Sequence, residues 1–337
     1  MRAGIYQAAA NIAVGELEKP AIHEGEALIR VVKAGICGTD MMIYAGKHPR
    51  AKAPLAMGHE FSGVIEEIKG QGFQIGDRVV VEPTLSCGQC EACKSGQTHV
   101  CKNLKLIGID RHGGFAEYVS VPVDRLHRVP DELSDSHAAL AEPVAVAVHT
   151  VRRSDLKVAD NVVILGAGPI GLLIGLIAKE AGASQIVISD ISPYRLKVAR
   201  EMGFTAIDAK GENVEEIVAS LTDNVGADIV FEVAGSQITA DQMVNIARIQ
   251  GQIVVVSVYK TAPKVELSAM HFKELSLTTT RCYSHEDFKK AIQLMAGQKI
   301  DVSPLISHEL PIEEIEEGFK LMENPDESLK VLFQPNN

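Results

Sequence analysis

No stretch of this 337-residue sequence stays apolar long enough to cross a bilayer; the longest run, around Ile170–Ala178, is well short of the ~20 residues a spanning helix needs. The first 20 residues carry charges and include Pro20, so no signal peptide is read there, and a cytoplasmic location is expected. Positive charge is also scarce. Against 44 Asp and Glu there are 33 Lys and Arg, a net charge of −11, which argues against nucleic acid or an anionic membrane as partner while leaving room for small anions bound locally. Cysteine is sparse as well: of six, four crowd into residues 87–101. That clustering favours thiolates on metal in a reducing compartment over a disulfide framework.

What the chain does contain is enough apolar material for two cores, 46% of residues, at a length beyond which one core usually stops growing. In its middle, Val162–Leu165 runs into Gly166-Ala-Gly168-Pro169-Ile170-Gly171 and an apolar helix. Here Gly166 permits a tight turn out of a strand, Gly168 a close approach of backbone to pyrophosphate, and Gly171 the packing of helix on sheet. The free amides at the helix start, from Ile170 onward, then face phosphate oxygens. A second apolar run, Ile186–Ser189, ends at Asp190, whose carboxylate suits the adenosine ribose hydroxyls and repels a 2′-phosphate. The expected cofactor is therefore NAD(H). Arg195 either lies over the adenine or pairs with Asp190.

Short strands punctuated by Gly and Pro fill the first part of the chain, at Ala27–Val32, Gly63–Ile68, Arg78–Glu82, Ala116–Val121 and Leu126–Val129. A helical pattern over Asp135–Val151, interrupted at Pro143, leads to alternating strands and helices. Six strands are predicted, at Asn161–Leu165, Gln185–Ser189, Thr205–Ile207, Ile229–Glu232, Gln252–Val256 and Leu275–Thr279. This is the pattern of an α/β, doubly wound parallel sheet. Helices are expected again at Glu286–Ala296 and Ile312–Met322, then a strand at Ser328–Phe333. The expected division is 1–147, 148–282 and a return to the first domain at 283–337, with the nucleotide domain inserted into the β domain. The run Glu313-Glu-Ile-Glu-Glu317 reads as a solvated helix face.

Cys87, Cys90, Cys93 and Cys101 form C-x2-C-x2-C-x7-C, a lobe at 86–102. Four soft ligands on a short loop suit tetrahedral Zn²⁺ with no open position, hence a structural site; an iron–sulfur cluster is the alternative. A second group, Cys37, His59, Glu60 and the distant Glu142, has no diagnostic spacing, and on spacing alone a ligand role and a structural role stand level. His23, His99, His112, His127, His137, His149, His285 and His308 lie in no comparable constellation and are read as surface or packing residues.

These motifs, together with Gly35-Ile-Cys-Gly-Thr-Asp40, Gly58-His-Glu60, Gly113-Gly-Phe-Ala-Glu-Tyr118 and Glu142-Pro-Val-Ala-Val-Ala-Val-His149, resemble those of the zinc-dependent medium-chain alcohol and polyol dehydrogenases over essentially the whole chain. The resemblance implies a GroES-like irregular β-barrel carrying the inserted nucleotide domain, two zinc ions per chain and NAD. It implies that Cys37 and His59 ligate the catalytic zinc, that Glu60 does so directly or exchangeably, and that Glu142 holds the metal or its water where other members carry a cysteine. The implied reaction ionises a secondary hydroxyl of a polyol or sugar acid (aldonate) on zinc and passes hydride to nicotinamide C4, with Thr39 taking the hydroxyl proton.

Many relatives place a histidine five residues after the ligand cysteine, but here Met42 stands there and cannot carry a proton. Either the nicotinamide ribose delivers it to water or His48 substitutes. Arg281 stands where sorbitol-type enzymes have an arginine beside the substrate, and its fork suits a polyol hydroxyl or a carboxylate. L-threonine and short diols such as butanediol are alternative substrates. A catalytically silent, zinc-stabilised NAD-binding protein is the reading from another class. The exposed sheet edge near Leu275–Thr279 suggests a homodimer or homotetramer.

Overall fold

The structure is a computed structural model describing residues 1–336, which divide into two compact units. One comprises residues 1–142, 284–298 and 305–336; the other comprises 143–283 and 299–304.

In the second unit, six parallel strands lie in the order Thr205–Asp208, Gln185–Asp190, Asn161–Leu165, Ala227–Glu232, Ala247–Val255 and Ser276–Thr279. The order reverses direction at Asn161–Leu165, so the crevice beyond its carboxyl end is where this architecture binds a dinucleotide. Val162, Val163, Ile164 and Leu165 are all buried, as a strand covered on both faces requires. The helix Val214–Leu221 begins at Asn213, whose side chain accepts from the amides of Glu215 and Glu216. Its Val214 and Val218 join Val163, Val187, Val230 and Met243 in one core. The strand Ser276–Thr279 ends the sheet and is largely exposed.

The other unit is built on a seven-stranded sheet. Its main path runs Leu126–Arg128, Arg78–Val81, Glu60–Ile68, Glu26–Gly35, Lys330–Gln334 and Ile306–Pro311, with Tyr118–Pro122 also paired to Glu26–Gly35. The carboxyl-terminal strand is thus an inner member: Leu332 pairs with Gly35 and Phe333 with Ala34. Phe115 meets Phe319 and Phe333 edge-on, fastening segments from both ends of the chain into one core.

Local boundaries differ from the sequence pattern in instructive places. The helical stretch after Ser134 breaks at Leu140, into Asp135–Ala139 and Ala141–Arg152, and Pro143 sits in the first turn of the second helix without interrupting it. Amides of a first turn have no partner within the helix, so proline is tolerated there. The strand expected at Ala116–Val121 is Tyr118–Pro122. The helix expected from Ile312 opens as a 3₁₀ turn, Ile312–Glu314, and becomes α-helical over Ile315–Glu323. Glu313, Glu314, Glu316 and Glu317 are exposed, while Ile315 and Phe319 face the core. Among the described residues no helix is long and apolar enough to cross a membrane.

Candidate active site

Three neighbouring strands build the centre of the first unit. The strand register sets Gly35 opposite Glu60 on one side and opposite Leu332 on the other, two residues from Lys330. Glu26–Gly35 then leads through Ile36 to Cys37, which precedes the helix Gly38–Tyr44. The strand starting at Glu60 brings His59 to the same place. Ligand atoms of Cys37, His59 and Glu60 lie within 4.8 Å of one another.

Asp40 organises this group. Its carboxylate accepts the amide of Cys37 at 2.9 Å and that of Gly58 at 3.4 Å, and its Oδ1 is 3.6 Å from Nδ1 of His59. With Nδ1 turned to Asp40 and making no closer hydrogen bond, Nε2 is the ring nitrogen left for a metal. Burial opposes charge on His59, but Asp40 and Cys37 outweigh it and hold the imidazole well above its ordinary 6.5. Negative surroundings that favour a proton there favour a divalent cation equally.

Lys330 is the counterweight. Its Nζ donates to Glu60 Oε2 at 2.6 Å and to the carbonyl of Ile36 at 2.9 Å, with 4% and 1% of the two side chains exposed. Burial pulls the ammonium's pKa down, while Glu60, Cys37 and Glu142 overcome that and raise it. Glu142 lies buried in the first turn of Ala141–Arg152, near enough for its charge to act on Lys330 but outside the tight Cys37–His59–Glu60 group. A half-buried sulfur with a buried imidazole and a buried carboxylate fits a borderline cation such as Zn²⁺.

Thr39, half-buried, stands in the first turn of Gly38–Tyr44. Nδ1 of His48, in the loop after that helix, accepts the amides of Arg50 and Ala51 at 3.3 and 3.2 Å. Burial, and next the charge of Arg50, lower its pKa, so the ring is neutral at neutral pH with its proton on Nε2.

Gly35 leaves the space in which Glu60 sits: a Cβ there would stand 2.7 Å from Glu60 Oε2 and 3.3 Å from Leu332 Cδ2. Gly35→Ala is therefore expected to push the carboxylate off Lys330. The expected outcome is a fall of about tenfold or more in kcat/KM with the four-cysteine lobe intact, read from steady-state rates and zinc content.

In that lobe the sulfurs of Cys90 and Cys93 are 3.4 Å apart, those of Cys90 and Cys101 3.9 Å, and those of Cys87 and Cys93 4.0 Å. Tetrahedral zinc with bonds of about 2.3 Å sets sulfurs about 3.8 Å apart, so this lobe has the dimensions of such a site. The amides of Cys87 and Asn103 each donate to Cys101 Sγ at 3.3 Å. Backbone amides of Cys93 and Lys102 lower the Cys90 thiol to about 6, which makes it a thiolate at neutral pH.

In the nucleotide unit, Gly168 caps the helix Pro169–Glu180, with Pro169, Ile170 and Gly171 in its first turn. Gly166 has φ 120°, and a Cβ at Gly171 would stand 1.9 Å from the Gly166 carbonyl oxygen. Only glycine permits that approach. Next to the position a Cβ would take on Gly168, the nearest atom is Nη1 of Arg195, at 3.9 Å, so a guanidinium borders an otherwise open turn. These amides and this cation suit a pyrophosphate. Asp190 proves to have a structural task as well, since it accepts the amides of Ala167, Ile191 and Ser192 at 2.7, 2.7 and 2.9 Å. Arg281 is exposed, beyond the edge strand.

Sequence reasoning missed Asp40 and Lys330 as site residues. The first was visible only as part of a motif. The second carried one signal, a lysine opening the otherwise apolar run Val331-Leu-Phe333.

Comparison with known proteins agrees with this geometry. Residues 23–131 match the alcohol dehydrogenase GroES-like domain and residues 169–297 the zinc-binding dehydrogenase domain. The chain is 39% identical over 329 residues to 2-dehydro-3-deoxy-L-galactonate 5-dehydrogenase of Pseudoalteromonas atlantica, covering 97% of this chain and 96% of the relative. It is 37% identical over 317 residues to L-threonine 3-dehydrogenase of Bacillus subtilis, covering 91% and 90%. The crystal structure of 2R,3R-butanediol dehydrogenase from Bacillus subtilis superposes with a TM-score of 0.93 at 32% identity, covering 99% of both chains.

Proposed function

This chain belongs to the zinc-dependent medium-chain alcohol, polyol and sugar-acid dehydrogenase family, and on that footing we propose that it oxidises a secondary hydroxyl of a sugar acid or polyol to the ketone with NAD⁺. The observation that carries this reading is the Cys37–His59–Glu60 donor set with Asp40 behind it. When bound, zinc supplies a Lewis acid for the substrate oxygen and NAD⁺ accepts the hydride. Cys37 and His59 would hold the metal, with Glu60 and Glu142 as the carboxylates beside it. Asp40 fixes the imidazole, Lys330 restrains Glu60, and Thr39 takes the hydroxyl proton. Cys87, Cys90, Cys93 and Cys101 hold the second, structural zinc. The exposed strand Ser276–Thr279 provides an edge for a homodimer or homotetramer.

An acidic substrate is the better fit. The galactonate and threonine named for the two relatives both carry a carboxylate, and Arg281 offers a bidentate partner for one. Arg281→Gln is expected to raise KM for an aldonate at least about tenfold more than KM for the neutral polyol of equal carbon count, as measured by NAD⁺ reduction. The second reading, oxidation of L-threonine, draws on the 37% identical relative. A screen of NAD⁺ reduction over paired aldonates and polyols, L-threonine and short diols tests all of these. Turnover fastest on an aldonate supports the proposal, while turnover confined to L-threonine or diols overturns its substrate class.

Cofactor choice rests on Asp190. Asp190→Asn keeps one acceptor oxygen, for the amide of Ala167 or for those of Ile191 and Ser192 but not for both sets, and removes the charge that repels a 2′-phosphate. It is expected to raise the NADP⁺ to NAD⁺ ratio of kcat/KM by roughly tenfold, whereas an unchanged ratio would remove Asp190 from cofactor selection.

A further inference from the structure

His127 and His285, read from the sequence as packing or surface residues, meet at Glu82 in the first unit, 45 and 203 residues from it along the chain. Glu82 directly follows the strand Arg78–Val81, and His127 lies on the strand paired with it. His285 opens the helix His285–Ala296, where the chain re-enters this unit. The two oxygens of Glu82 have separate surroundings. Oε1 accepts Arg125 Nη1 at 3.0 Å and Thr84 Oγ1 at 3.1 Å. Oε2 faces two imidazoles, 2.7 Å from His285 Nδ1 and 3.3 Å from His127 Nε2. All three ligand atoms lie within 4.8 Å of one another. Phe288 stacks on the His127 ring, with centroids 4.7 Å apart. Two of the ligands are therefore fixed in the interior, with 2% and 7% of their side chains exposed, and the third is 45% exposed.

We propose that Glu82 Oε2, His127 Nε2 and His285 Nδ1 form a third divalent-metal site, for Zn²⁺ or another late first-row cation, distinct from the Cys37 centre and the four-cysteine lobe. Two neutral imidazoles and a carboxylate are the ligands such cations prefer, and the exposed side leaves room for water to complete the coordination. Bonds of about 2.0–2.2 Å in tetrahedral geometry set ligand atoms about 3.3–3.6 Å apart. The His127–Glu82 separation already meets that, and the exposed His285 has only to move outward by less than about 1 Å. Arg125 on the other oxygen opposes a second positive charge, so the ion is exchangeable and weaker than one held by four thiolates. It ties the start of the returning helix to the strands Arg78–Val81 and Leu126–Arg128, and by binding only the folded unit it raises stability through mass action.

The test starts from zinc-loaded, desalted protein titrated with Co²⁺, with both metals counted by mass spectrometry and thermal unfolding followed in parallel. The proposal expects one added cobalt per chain with no loss of zinc, visible Co²⁺ absorption, and a midpoint raised by a few degrees. In His285→Ala that cobalt should bind at least about tenfold more weakly and the rise in midpoint should vanish. The cobalt-free variant should unfold a few degrees below cobalt-free wild type, for loss of the hydrogen bond to Glu82, and reduce NAD⁺ at the wild-type rate. No added cobalt at millimolar concentration, cobalt gained only as zinc is lost, or equal uptake by His285→Ala would each overturn the site.

Discussion

Replacing His59 with alanine is expected to lower kcat/KM by roughly a thousandfold or more while leaving one zinc per chain. Losing a Lewis acid worth several kcal/mol in the transition state, at about 1.4 kcal/mol per decade of rate, sets that scale. The remaining zinc would be the one proposed for Cys87, Cys90, Cys93 and Cys101, whose sulfurs are already spaced for it. Thermal stability should fall as well, since the change empties a buried volume and takes a charged partner from Asp40, which keeps only the amides of Cys37 and Gly58. Zinc analysis with steady-state kinetics checks both halves. Two zinc ions retained with wild-type turnover would remove His59 from the centre.

Lys330→Met should have the second largest effect, and its size should depend on metal. In protein that keeps only the four-cysteine zinc the change strands the Glu60 carboxylate, 1% exposed, without its ammonium. Breaking one side of a buried pair costs about 3–5 kcal/mol. In zinc-loaded protein the metal takes over as counter-charge, so the loss should shrink by more than half. Denaturant unfolding of the two forms measures the difference. An equal loss in both would mean that Glu60 and the metal do not communicate. The sign of the pH dependence follows from the raised pKa of Lys330. Stability from this pair is fully present below the ordinary lysine value of 10.5 and is lost only as pH rises through the higher folded value. The deficit of the variant should therefore be flat from pH 6 to 9.

The parts of the site legible in the sequence were those carried by local spacing. Gly166, Gly168 and Gly171 span six residues and the four cysteines fifteen, and the structure keeps each group together in one short stretch of chain. The alternation of strands and helices after residue 160 likewise gave the parallel sheet, because its central strands, Asn161–Leu165 and Ala227–Glu232, are mostly buried apolar runs bounded by turns. What spacing could not show is what strand register brings together. Lys330 lies 270 residues from Glu60 and reaches it only because the last strand enters the sheet beside Glu26–Gly35. Glu82, His127 and His285 meet for the same kind of reason, across two paired strands and a helix start. Pro143 misled because a proline inside a helical pattern looks like a break, and only the register of the helix reveals that it falls in a first turn. Asp190 was legible as an acid at a strand end, but its grip on the amide of Ala167, which makes it part of the glycine turn, was not.

The central claim is that chemistry resides in the Cys37–His59–Glu60 metal while the four-cysteine metal only holds its lobe together. Stepwise chelation, with zinc content, NAD⁺ reduction and the unfolding midpoint read on the same samples, tests it most directly. Turnover should fall to zero as zinc drops from two per chain to one in wild-type protein, with the midpoint collapsing only as the second ion leaves. Full turnover persisting at one zinc per chain would contradict the account.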